Sequence, residues 1–497
     1  MSDAAAVADT RVHPGTIAIR YAKDLPQTLI GLPAVLALMS DTKWPVILLI
    51  ALVAAAVLGL VQWLLWSRFR YGLGPSELLI ESGLLSRNRR SIPFERIQDL
   101  DIEQGPLHRL FGLAKIKVET GAGGKDEGVL DSVTLAEADR LRRAIRAGQT
   151  GRAEDATVPA SEPEARLILA MRPGRVFVSG LFNFSLIWVA GLFGLLQTFE
   201  PLIPFDVTDP GRWLGLVEGN QDRFTAGAIA AVLLVALVLG VLTGILRTLS
   251  RDWNFRLTAE GRRLRRTRGL FTRTEIVIPK RRVQLALLRT GPLRHAIGVG
   301  ELFAQTLGSS RGQGGLQSLA PFANAPEIDR VVAELPAVRL PGAEPLTHVS
   351  SRHIARSAVR ALALPSIAIG IASVFRPEAL VFLPLLPLLL VDAVLRRRFH
   401  RYGLSGELLF VQAGWWKRRL WALPLANVQS ASVSRSPLQR WLGLATLALD
   451  TAGAPAFGGP RIVDIREGTA RALRDEILAG QLSRATAWAN RTADAGS

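Results

Sequence analysis

Arg262, Arg263, Arg265, Arg266 and Arg268 crowd five guanidinium groups into seven positions, and Lys280, Arg281 and Arg282 follow a short distance on. A guanidinium presents a planar fork of donors that matches phosphate oxygens. A basic side chain held at a membrane surface contributes about 1 kcal/mol toward anionic lipid. These eight residues are therefore the candidate lipid-binding site, set against the plainer reading of a solvated basic face. The region around them, residues 251–335, holds 15 basic against 7 acidic residues, while residues 68–148 hold 14 against 12. The attraction is concentrated in the former.

Other chemistry finds little support. The six histidines, His13, His108, His295, His348, His353 and His400, show no metal-ligand spacing with a second ligand. The run GAGGKD from Gly121 lacks the leading glycine, the Ser or Thr after its lysine and the helix that a phosphate loop requires, so it reads as a hairpin turn. No dinucleotide fingerprint occurs. With no cysteine, thiol catalysis and disulfides are excluded. No catalytic residue, metal or cofactor is expected, and the protein is read as a non-enzyme. Asp392 stands inside an apolar stretch, where a carboxylate suggests an ion relay. Arg396 four residues on offers the simpler i,i+4 ion pair. Asn183 and Gln62 read as helix–helix hydrogen-bonding residues. A transporter or channel using Asp392 and Asn183 is the alternative function.

The elements that position these residues come from an internal repeat. IPFERIQDLDIEQGPLHRLFGL at Ile92 returns at Ile278 and again, as LPLANVQSASVSRSPLQRWLGL, at Leu423. The copies align without a gap through Pro93, Pro279 and Pro424; Gln98, Gln284 and Gln429; Pro106, Pro292 and Pro437; and Gly112, Gly298 and Gly443. Gly83, Gly269 and Gly414 each precede the opening proline by ten positions. Asp99 to Glu103 and Lys115 to Glu119 alternate polar and apolar, the pattern of a half-buried strand. The Gly-Pro-Leu between them breaks the ladder, and a helical turn over 107–111 bridges it. A final strand and a helix close each copy, giving a small antiparallel β-sandwich or barrel capped by a C-terminal helix. The three closing glycines are expected at positive φ, and each module is expected to have its own core.

The pattern I-P-x-x-R-[IV]-Q…G-P-[LI]-x-R-x-x-G-[LV] resembles the bacterial pleckstrin-homology-like domain of the YdbS/YdbT-like membrane proteins. The first copy fits throughout. The second has His295 where the first has Arg109, and the third has Asn427 in place of Arg96. The resemblance implies a PH-like fold behind membrane hairpins. It further implies a smaller membrane protein of the same family as partner, or self-association, and it specifies no activity.

Hydrophobic residues make up 49% of the 497 positions, yet 60 Lys and Arg against 42 Asp and Glu leave a net charge of +18. Segregating the two into bilayer and aqueous parts reconciles these figures, and directs the basic excess to anionic lipid, with no nucleic acid. A bilayer core of about 30 Å needs about 20 helical residues. Apolar segments fall in pairs at 26–66, 176–249 (with a loop at 200–225) and 354–395. The modules follow at 68–148, 251–335 and 396–480, with linkers at 149–175 and 336–353, an N-terminal segment 1–25 and a tail 481–497. No cleaved signal peptide is indicated. Pro384 and Pro387 are expected to kink the last span. Arginines flank the module ends of the apolar segments, so the expectation is a multi-pass protein of the bacterial inner membrane. Both termini and all modules would be cytoplasmic.

Overall fold

The computed structural model describes residues 9–25, 44–84, 86, 88–120, 128–150, 165–184, 224–307, 315–342, 345–452 and 459–494. The expected first span at 26–39, the loop at 200–225 and the GAGGKD turn lie wholly or largely outside these residues.

In the first module, β1 (Thr10–Arg11), β2 (Arg70–Leu73), β3 (Glu77–Ser82) and β4 (Asn88–Pro93) form one antiparallel sheet in sequence order. A proline-led turn then feeds β5 (Ile97–Gln104), β6 (Leu113–Thr120) and β7 (Val129–Thr134), closed by the helix Leu135–Thr150. The second module repeats the plan with β8 (Arg166–Ala170), β9 (Arg256–Glu260), β10 (Arg263–Arg268) and β11 (Arg273–Pro279), then β12 (Val283–Thr290), β13 (Val299–Thr306) and β14 (Leu316–Asn324). The third does so with β15 (Thr347–His348), β16 (Arg401–Ser405), β17 (Leu408–Ala413) and β18 (Arg418–Pro424), then β19 (Val428–Ser434), β20 (Leu444–Thr451) and β21 (Arg461–Arg466). The helices Ala325–Val332 and Glu467–Asp494 close them.

Two expectations are corrected. The first strand of each module, β1, β8 or β15, lies before the apolar hairpin in sequence and pairs with the first strand after it. The hairpins are thus insertions within the modules, and part of each presumed linker is an edge strand. Nor do the second and third modules keep separate cores, although the core of the first is built from its own residues. The second half of one module and the first half of the next share a seven-stranded sheet, β7-β6-β5-β11-β10-β9-β8 and then β14-β13-β12-β18-β17-β16-β15. The two crossings use one register: Ile102 faces Glu275, and their repeat counterparts Leu288 and Leu420 face each other. Leu408, Phe410 and Ala422 of the third module pack into the core of the second. Leu285, Leu287 and Phe303 of the second pack into the core of the third. Asn427, which replaces the pattern's arginine, donates across this boundary to Gln284 O at 2.8 Å.

Among the described residues β4 and β19 end their sheets. Exposed Asn88 and Arg90 line the first edge, and exposed Ser430, Ser432 and Ser434 the second. Polar outer faces of this kind cap the ends of repeat arrays and discourage further strand pairing.

Gly112, Gly298 and Gly443 take φ of 65°, 68° and 64°, as expected, reversing the chain between the short helices and the strands that follow. Pro106, Pro292 and Pro437 open those short helices, where the missing N–H costs nothing. Among the described residues four helical stretches are long and apolar enough to cross a membrane: Leu48–Arg68, Leu234–Asp252, Arg352–Phe375 and Pro377–Arg398. Leucines and valines along them are exposed, as at Leu52, Leu234, Leu364 and Leu388. The last stretch begins as a 3-10 segment, Pro377–Leu385, and becomes α-helical at Leu386–Arg398, the change falling between Pro384 and Pro387.

Candidate membrane-surface site

Each module is fastened to the helix beside it by a polar cluster. In the third module, β21 bulges so that Asp464, fully buried, sits at φ 64°. Its Oδ2 lies 2.7 Å from His353 Nδ1 and accepts from Arg356 Nε at 2.7 Å, and its Oδ1 accepts from Gln439 Nε2 at 2.7 Å. Burial pushes this carboxyl up, but the His353 and Gln439 hydrogen bonds and the Arg356 charge outweigh it and hold the group below its ordinary range. Ser357 Oγ lies 3.2 Å from His353 Nε2, so serine, histidine and aspartate stand in the order of an acyl-transfer triad. Arg356 shares the same Oδ2, however, and so reduces the negative charge that would stabilise an imidazolium. His353 and Ser357 are one turn apart on the membrane helix, which makes the group a clamp.

The first module repeats the clamp with other residues. Ser132 occupies the matching bulge at φ 63° and accepts from His13 N at 3.1 Å, as Asp464 O accepts from Ser350 N at 3.1 Å. Asp131 beside it accepts from Arg20 Nε at 3.0 Å and lies 3.1 Å from His108 Nε2. Burial raises Asp131, and the hydrogen bonds from His108 and Arg20 more than reverse this, holding it well below the carboxylate range. In the second module Asp252, fully buried at the end of the helix Phe224–Asp252, is held between Arg251 at 2.8 Å and Arg268 at 2.9 Å. Arg294 donates to Asn183 Oδ1 at 2.8 Å, and Asn183 Nδ2 donates to Thr248 Oγ1 at 2.9 Å. Asn183, just past the helix Pro173–Leu181, thus links Thr248 on one helix to Arg294 on another. Gln62 does likewise, donating to Asp24 Oδ2 at 2.8 Å. Asp392 makes the i,i+4 pair with Arg396 at 2.6 Å and also accepts from Trp415 Nε1 at 2.8 Å.

The arginine cluster of the second module is not one open face. Its two runs do meet, Lys280 N donating to Arg262 O at 3.0 Å. Arg266, however, is 1% exposed and donates to Ser318 O at 2.8 Å and Gln317 Oε1 at 3.0 Å. Burial and then Arg268 push its guanidinium well below the usual value, while Asp101 and Asp252 pull the other way. Arg265 pairs with Glu260 and Glu275, Arg268 with Asp252, and Lys280 with Glu334. Arg263 and Arg282 are half-buried; Arg262 and Arg281 are exposed. The expectation of eight available cations is therefore revised: strand alternation turns Arg266 inward, and acids unseen in the local sequence take Arg265, Arg268 and Lys280.

A cleft of about 530 Å³ lies between residues 19–24, the turn Gly105–His108 and the sheet residues Glu103, Lys115, Asp131 and Thr272. Arg20, Lys23 and Lys115 face it together with Asp24, Glu103 and Asp131, so its formal charges cancel when His108 is neutral. Burial lowers the pKa of Lys115. The lining does not commit to an anion.

A family profile described as Bacterial PH domain matches residues 27–149, 201–348 and 358–481, one stretch for each module. The chain belongs to the bacterial PH domain family. The chain is 24% identical to the transmembrane protein YdbT of Bacillus subtilis (strain 168) over 311 residues, 58% of this chain and 60% of that protein. It is 33% identical to the transmembrane protein YdbS of the same organism over 98 residues, 20% of this chain and 58% of that protein. The chain thus spans about three fifths of the length of these curated relatives. With the apolar helices, these likenesses make it a membrane protein bearing three bacterial PH domains. In each domain the first strand is separated from the rest by apolar helical segments. None of the clamp residues was singled out from the sequence as a clamp. The one trace there was the isolated acid in the last strand, Asp131 or Asp464, whose partners lie far away in the chain.

Proposed function

We propose that this protein is a non-enzymatic, multi-pass scaffold of the bacterial inner membrane. It holds three PH-like modules as one bar at the cytoplasmic surface, where they contact anionic lipid and a partner protein. The observation that carries this reading is the pair of shared sheets. Two seven-stranded sheets joined in one register leave the modules no freedom to act as separately tethered domains, and the clamps at Asp131, Asp252 and Asp464 seat each on the helix beside it. A bar of fixed geometry suits the display of surfaces better than turnover. The cytoplasmic side follows from arginines at the module ends of the helices, among them Arg68, Arg251 and Arg396 to Arg398. The partner we infer is a smaller membrane protein of the same family or a second copy of this chain.

The transporter reading finds less support, because Asp392 is already taken by Arg396 and Trp415. Cysteine labelling tests the orientation cleanly, since the chain has no native thiol. Arg281→Cys, exposed on the second module, is expected to react with an impermeant maleimide only after the cells are permeabilised. Reaction in intact cells would overturn the cytoplasmic placement.

A further inference from the structure

Each module carries a hairpin tip between its third and fourth strands, and each tip opens on a glycine: Gly83, Gly269 and Gly414. Their φ values are 114°, 116° and 83°, and a Cβ at any of them would collide with the carbonyl oxygen three residues on. This geometry belongs to glycine. What it displays is apolar: Leu84, Phe271 and Trp416 are exposed at the three tips. The short helices opened by Pro106, Pro292 and Pro437 expose Leu110, Leu293 and Trp441. These six side chains are between 40% and 81% exposed. Single exposed apolar residues need no explanation. Repetition at the same two elements of three modules does.

Their surroundings say what covers them. The second tip is tied to the end of a membrane helix, Leu270 N donating to Ser250 O and Gly269 N to Trp253 O, both at 2.9 Å. At the third tip Trp415 Nε1 donates to Asp392 Oδ1 at 2.8 Å. Asp392 precedes Arg398, the helix end, by six residues, which is about 9 Å along an α-helix. The tip therefore reaches back along the span beyond the arginines. The short helices are held at the same level: Arg352, the first residue of the helix Arg352–Phe375, donates to Leu442 O at 2.7 Å. Arg109 of the first short helix donates to Leu270 O of the second tip at 2.6 Å, so tips and short helices alternate along one side of the bar.

We propose that the hairpin tips and short helices form a row of apolar wedges seated in the headgroup–acyl boundary of the bilayer that the helices enter. The occupant is lipid because the second and third tips and the third short helix are hydrogen-bonded to the apolar helices at their ends. Interfacial segments bury their apolar face about 5–10 Å deep, the depth to which the third tip reaches. Tryptophan at two of the six positions suits a site that is apolar at one end and wet at the other. The inference rests on the membrane reading of the helices, and the test separates the two.

Single cysteines at Phe271, Leu293, Trp416 and Trp441 in the full chain, spin-labelled and reconstituted in phosphatidylethanolamine–phosphatidylglycerol vesicles, give the readout. Relaxation by oxygen is compared with relaxation by a water-soluble nickel chelate. Leu242→Cys, an outward position of an apolar helix, sets the lipid value, and Asp475→Cys, exposed on the closing helix of the third module, sets the aqueous value. The four wedge labels are expected to rise from the aqueous oxygen-to-nickel ratio to at least half that of Leu242→Cys. Labels that match Asp475→Cys, or that are shielded from both reagents and therefore covered by protein, overturn the proposal. An aqueous value at Leu242→Cys overturns the membrane reading instead. The sites lie in two modules and on both kinds of element, so a variant that fails to fold leaves others to decide.

Discussion

His353 and Asp464 meet at 2.7 Å although 111 positions separate them, and both side chains are buried. The first stands on a membrane helix and the second on the last strand of the third module, so this pair sets how the module sits on its hairpin. Asp464→Ala strips the acceptor from His353, Arg356 and Gln439 and leaves the largely buried Arg356 guanidinium without its acid. Breaking such a pair costs about 3–5 kcal/mol. Asp464→Asn retains an oxygen, and asparagine tolerates the left-handed backbone at this position. Thermal melts in one detergent should therefore rank wild type above Asn and Asn above Ala. Equal melting of the alanine variant and wild type would show the clamp to be idle.

Acid sensitivity should be centred on His400. Burial, followed by the nearby His353, lowers its pKa to about 4 from an ordinary value near 6.5. The folded chain thus holds the ring neutral where the unfolded chain would protonate it. The contribution is complete above about pH 6.5 and is lost as pH falls toward 4, by up to about 3 kcal/mol. Asp464, whose folded pKa is also lowered, adds a loss at lower pH, below its unfolded value near 4. Melting temperatures measured from pH 7 to pH 4 should fall for wild type and fall less for His400→Gln. Parallel curves would remove His400 from the account.

The shared sheet predicts that the modules unfold together. Leu287 on β12 lies opposite Phe303 on one side and Trp421 on the other, and it packs in the core of the third module. Leu287→Ala should cost about 2–5 kcal/mol and expose both the second and third modules to protease at once. By the same reasoning, residues 251–335 expressed alone lack β8 and lose β5 and β18 as neighbours, and should aggregate. A soluble, cooperatively folding fragment would contradict this.

Two glycines of one module should differ in their tolerance of alanine. At Gly298 (φ 68°) nothing lies near the position of a Cβ, so Gly298→Ala meets only the left-handed backbone penalty, about 1–2 kcal/mol. At Gly269 (φ 116°) the added carbon also meets Thr272 O. Gly269→Ala should lower the melting temperature clearly more than Gly298→Ala, and the reverse order would refute the assignment of the hairpin tip.

The repeat, the strand alternation, four of the apolar spans, the break at Pro384–Pro387 and the positive φ of Gly112, Gly298 and Gly443 were legible in the chain. Each is dictated by residues within a few positions of one another: a period of two, about 20 apolar residues, or a turn that only glycine makes cheaply. Asp392 beside Arg396 was legible for the same reason. The tertiary structure decided everything that depends on which distant strands share a ladder. Backbone hydrogen bonds are alike in every strand, so no side-chain pattern announced that β5 would take β11 and β12 would take β18. Nor did any announce that the membrane hairpins would split each module after its first strand. Arg266 shows the consequence for charge: in sequence it stands level with Arg265 and Arg268, yet alternation along β10 turns it into the protein, onto Ser318 O and Gln317 from a strand some 50 positions away. Whether a cation is free for lipid depends on its nearest acid in space, and for most of that cluster the nearest acid was fixed only when the sheets closed.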